Sequence, residues 1–266
     1  MRNSSGAEIA EGHYDIRKGA AAYAPIIGAF GALAIPTVTV LFTANKDSAP
    51  DKFIVLACGL LVVATIGSLT GSIGLAAIGA ERDHTANLPA AVMYIAVPVA
   101  ISIVAVLASF EVLAAIYLEE QKGLFAITTG VGGLAATYFT SFSVADSWTS
   151  GPSDPVLKTD WSRTQWISSK QVAYRKANLV AAVSASPVLA GLVLRLCDIH
   201  WGVNQRGANW LVAAGLVVSM VGTFAGVQRT KHAMHDSEQK GIRAWEAYST
   251  SLGVGLYTLA LLLFLP

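Results

Sequence analysis

Charged side chains are scarce in this chain. Asp, Glu, Lys and Arg supply only 13% of its 266 residues, about half the share of an ordinary soluble domain. That leaves too little polar surface to clothe a water-facing globule. The bilayer is the natural solvent for a chain that is 54% hydrophobic with a mean hydropathy of +0.55. A net charge of +1 points to no nucleic-acid partner.

Cysteine is nearly absent. Cys58 and Cys197 are too few for a disulfide framework and form no CxxC pair, so two free thiols in apolar surroundings are expected. No apolar run with a small-residue cleavage site precedes the first hydrophobic stretch, and no cleaved signal peptide is expected. Neither GxxxxGK[ST] nor GxSxG occurs, which removes the phosphate-cradling loop and the nucleophile elbow. The last hydrophobic stretch has no Lys to carry a retinal and no His. Seven-span membrane zinc hydrolases carry an HxxxH there. Ionisable groups are missing from the centre of every hydrophobic stretch, which argues against a proton-coupled pump. No catalytic residue and no cofactor is assigned.

What the chain does have is length in apolar runs. A span needs about 20 mainly apolar residues. Seven stretches qualify: Ala20–Thr43, Phe53–Ala80, Leu88–Leu118, Gly123–Ala145, Asn178–Leu196, Ala208–Val227 and Ala247–Leu265. They predict an all-α polytopic transmembrane bundle. Residues 1–19 form an N-terminal tail, 20–145 the first four spans, 146–177 a polar connection and 178–265 the last three. Pro36, Pro98 and Pro187 lie inside spans, where each removes a backbone donor and predicts a kink.

Lys and Arg orient the bundle. Arg2, Arg17, Lys18, Arg82, Lys158, Arg163, Lys170, Arg175, Lys176, Arg229, Lys231, Lys240 and Arg243 fall on one side. Lys46, Lys52, Lys122 and Arg206 fall on the other. The N-terminus is therefore expected in the cytoplasm and the C-terminus outside, in a plasma membrane. An abundance of Ala, Gly and Val suggests a GC-rich bacterium.

The second and sixth spans share a pattern. Leu61–Gly71 and Leu216–Gly226 both read LVVxx[IV]G[ST][LF]xG, about 155 residues apart. This suggests a 3+1+3 parallel repeat, an arrangement met among transporters. Gly67 with Gly71 and Gly222 with Gly226 make GxxxG pairs, which let helix backbones approach closely.

Three further groups complete the candidates. Residues 146–177 read as a cytoplasmic segment lying in the headgroup layer. Its start is a candidate helix cap, Asp154 followed by Pro155. Trp161, Trp166 and Tyr174 would half-bury there, and Arg175 and Lys176 would meet anionic lipid. His84, His232 and His235 follow the second and sixth spans. With Asp83 or Asp236 they could approach one zinc ion if those spans are neighbours. Arg195 and Asp198, at i and i+3, could pair on one helix face. The fourth span carries Thr128, Thr129, Thr137, Tyr138, Thr140, Ser141 and Ser143, expected to bond mainly to their own helix's carbonyls.

Three functions fit these features. The favoured one is a non-catalytic membrane component or partner-docking subunit of an envelope, transfer or defence system, acting as a homo-oligomer or with a membrane-complex partner. A small carrier or channel for a neutral or apolar solute is the alternative. A membrane-embedded zinc hydrolase is the second alternative.

Overall fold

Seven long α-helices account for almost all the described residues. The computed structural model describes residues 16–44, 51–81, 88–148, 163–199, 201–202, 204–233 and 242–266. The helices are α1 (Ile16–Ala44), α2 (Lys52–Gly79), α3 (Leu88–Tyr117), α4 (Lys122–Trp148), α5 (Arg163–Leu196), α6 (Gln205–Ala233) and α7 (Ala244–Phe264). Among the described residues there is no strand. All seven are long and apolar enough to cross a bilayer. Within hydrocarbon a helix satisfies its own backbone donors and acceptors, so apolar length alone forces this secondary structure.

Successive helices run up and down. The start end of the bundle is the end where α1, α3, α5 and α7 begin; the far end is where they finish. Large apolar side chains stay exposed around the barrel, among them Ile26, Leu33, Ile73, Val131, Leu189 and Phe224. Exposed aromatics mark the rims: Tyr23 and Trp245 near the start end, Tyr117, Trp201 and Trp210 near the far end. That is the distribution of an aromatic belt at two lipid–water boundaries. The chain is a multi-pass membrane protein.

α3 is the hub. Its span is 78% buried, against 11% for that of α1. α2, α4, α6 and α7 all pack on α3, whereas α1 leans almost entirely on α2. The main core joins Leu56, Leu60 and Val63 of α2 with Ile101, Val104 and Val112 of α3 and Leu261 of α7.

Two glycine-bearing helices clamp α3 where Pro98 interrupts its hydrogen-bond ladder. Pro98 has no N–H, so the Tyr94 carbonyl one turn earlier lacks its usual partner. A Cβ on Gly67 of α2 would stand 2.7 Å from the Pro98 carbonyl oxygen, and one on Gly222 of α6 would stand 3.0 Å from the Tyr94 oxygen. Gly71 and Gly226 meet Val99 and Ile95 one turn away. Ser68 donates to Ser102 at 3.1 Å, and Ser102 donates to the Pro98 carbonyl at 3.0 Å.

The pairing of helices departs from a duplicated triplet. α1 packs on α2, but α5 and α6 scarcely touch: α5 lies on α4 and α7, and α6 on α3 and α2. The two triplets therefore do not pack alike. The pattern shared by α2 and α6 has a simpler physical basis, since both helices present small residues to the same stretch of α3.

The second departure concerns α5. It starts at Arg163 and runs unbroken for 34 residues, where an interfacial segment up to Ala177 and a span from Asn178 were expected. At 1.5 Å per residue it is about 50 Å long, well beyond the hydrocarbon thickness. Asp154, Pro155 and Trp161 lie outside the described residues.

Candidate functional site

Two charged clusters lie inside the membrane spans, one towards each end. The far-end cluster begins with the way α5 stops. Asp198 takes a positive φ of 59°. The Asp198 N–H donates to the Arg195 carbonyl at 3.0 Å, and the Ile199 N–H to the Leu194 carbonyl at 2.9 Å. This is a Schellman-type terminus, and it leaves Arg195 in the last turn, where the helix dipole favours a cation.

The Arg195 guanidinium reaches Glu111 of α3 at 3.2 Å. It also donates to the Leu265 carbonyl at 3.0 Å and to the Pro266 carbonyl. Those carbonyls lie just past the last turn of α7, where a helix leaves its carbonyls without intrahelical donors. One side chain thus ties α3, α5 and α7. Thr129 of α4 lies beside the Glu111 carboxylate and donates to the Phe125 carbonyl at 3.1 Å. Glu111 Oε2 is buried and, Thr129 beside it apart, has no hydrogen-bond partner among the described residues. A shallow cavity of about 100 Å³ opens beside Arg195, walled by Ala126, Ile127, Leu192 and Leu196. The expected i, i+3 partner of Arg195 was Asp198. The left-handed turn takes Asp198 off the helical path, and the carboxylate at 3.2 Å comes from α3.

The start-end cluster centres on Glu246 in the first turn of α7. Tyr94 of α3 donates its hydroxyl to Glu246 Oε1 at 2.9 Å, and Arg229 of α6 donates to the same oxygen. The Arg243 N–H donates to Oε2 at 2.6 Å, closing the acidic half of a capping box. The carboxylate fits the positive end of the helix. It ties α3, α6 and α7. Starting the seventh span at Ala247 hid this residue. A lone Glu three residues after Arg243 at the head of an apolar run was the available signal.

Of the residues singled out in the sequence, Gly67, Gly71, Gly222 and Gly226 all converge on α3. Tyr174, Arg175 and Lys176 are exposed on α5, with the Tyr174 ring 5.9 Å from Phe142. Trp166 belongs to α5 and His232 to α6; the positions of their side chains, and all of His84 and His235, lie outside the described residues. Among the described residues no group of His, Cys, Asp and Glu could hold a metal. Cys58 is a buried free thiol and Cys197 an exposed one. Most hydroxyls of α4 do bond to their own helix, as Thr137 does to Leu134 at 2.8 Å and Ser141 to Thr137 at 2.7 Å. Compared with known protein families, curated proteins and solved structures, the chain matches none.

Proposed function

We propose that this protein is a non-catalytic component of a bacterial plasma-membrane assembly, with its N-terminus in the cytoplasm and the start end of α5 as its docking face. The disposition of charge supports the reading. Two ion pairs inside the spans tie helices together: Arg195 with Glu111 and Arg229 with Glu246. Arg175 and Lys176 are exposed towards the start end of α5. Lys and Arg also concentrate at the start end and in the segments joined to it, and this asymmetry is what holds loops in the cytoplasm.

Orientation and docking are tested separately. Cys197 is exposed at the far end and Cys58 is buried, so the native chain carries its own reporter. A membrane-impermeant maleimide added to intact cells should label the protein, and Cys197→Ser should abolish the label. Labelling only after lysis reverses the orientation. A photo-crosslinker at Arg175 in native membranes should give a defined adduct, with a second copy or a membrane partner, that Trp210 at the opposite end does not. Adducts no different from those at Trp210 refute the docking face.

A further inference from the structure

α4, α5 and α7 meet along a seam that is hydroxylic at nearly every turn. The pairings are fixed by close approaches: Gly133 against Thr258, and Gly255 against both Thr137 and the Ser184 backbone. One turn towards the start end, Ser141 of α4 and Ser251 of α7 are buried, followed by Thr250. The levels of Thr258, Ser184 and Ser251 are about one helical turn, or 5.4 Å, apart along the axis, and Thr250 is the residue before Ser251. The seam has a carboxylate at each end: Glu111 with Thr129 beside it, and Glu246 with the Tyr94 hydroxyl.

Helix packing explains the glycines, and it explains threonines bonded to their own helix. It does not explain three atoms. Among the described residues, Ser184 Oγ, Ser251 Oγ and Glu111 Oε2 are buried and have no hydrogen-bond partner. Ser184 is fully buried on a helix whose main packing partners are α4 and α7, so its side chain points into their junction. An alanine would fill the same space without burying an unsatisfied hydroxyl. Such groups are what water needs in order to bridge neighbouring hydroxyls.

We propose that this seam is a proton path, with Glu111 and Glu246 as terminal acceptors and the Ser and Thr hydroxyls, bridged by water, as the relay between them. Each hop breaks one O–H bond and forms another. Every relay oxygen is restored, and one proton has moved from one face to the other. Arg195 faces Glu111; Arg229, Tyr94 and the Arg243 N–H face Glu246. Glu111 Oε2 is the oxygen that Arg195 leaves open. The proposal does not rest on the docking reading, and each can fail alone.

The test uses the full chain in liposomes of phosphatidylethanolamine and phosphatidylglycerol, with an entrapped pH dye and a potassium diffusion potential set by valinomycin. Wild type should acidify the lumen faster than protein-free liposomes. Removing one hydrogen-bonded link should slow the flux about tenfold. Ser184→Ala and Ser251→Ala should each do so. Neither loses a hydrogen bond to another described protein group, so both should melt close to the wild type. Thr128→Ala, on the exposed side of α4, should conduct as wild type does. Wild-type flux equal to that of protein-free liposomes overturns the proposal. So does wild-type flux in both serine variants.

Discussion

Replacing Arg195 by Leu should harm this protein far more than replacing its partner. The Glu111 side chain is 0% exposed and that of Arg195 9%, so the pair obeys the rules of buried ions rather than surface ones. Breaking such a pair from one side costs about 3–5 kcal/mol, because the remaining charge is left uncompensated. Arg195→Leu leaves that charge on Glu111 and also strips the donor from the Leu265 and Pro266 carbonyls. Glu111→Gln keeps the shape and an accepting oxygen, and Arg195 keeps the two carbonyls, so the loss should be about 1–2 kcal/mol. The double variant Glu111→Leu, Arg195→Leu replaces the pair by two apolar side chains. It should recover at least about 2 kcal/mol relative to Arg195→Leu alone. Reversible unfolding in mixed micelles, followed by tryptophan fluorescence, gives all three values. The reasoning is refuted if Arg195→Leu is no worse than Glu111→Gln. It is equally refuted if the double variant is no better than Arg195→Leu.

Two more stability predictions use the same measurement. Gly255→Ala drives a methyl into the Ser184 backbone and should cost about 1–3 kcal/mol, whereas Gly253→Ala, two residues away, meets nothing within 4 Å and should gain about 0.5–1 kcal/mol. Glu246→Ala should cost about 2–4 kcal/mol, since three donors lose their acceptor and Arg229 is 22% exposed. Tyr94→Phe, which removes one of the three, should cost about 1 kcal/mol; equal losses for the two variants would show that Tyr94 alone carries the tie.

Hydrophobicity by itself determined the solvent, the helix count and most helix ends. Hydrocarbon acts on each segment separately: it demands internal backbone bonding and about 20 apolar residues, and both are local properties. Where hydrocarbon stops, so does that signal. The start of α5 at Arg163 was therefore invisible, because nothing apolar marks a helix continuing beyond the bilayer. Glu246 was missed for the same reason, standing one residue outside the apolar run it serves.

Neighbours are a different matter. The glycines of α2 and α6 could be recognised as packing residues, but their common partner could not, since one turn of α3 around Pro98 is remote from both in sequence. Arg195 shows this most plainly. Its nearest acid along the chain is Asp198, yet its carboxylate partner stands 84 residues away on α3. A left-handed turn decided that, by ending α5 just past Arg195, together with the packing that brings α3 and the end of α7 alongside. Local periodicity reports which face of a helix is small, polar or charged. Only the packed bundle says what lies opposite.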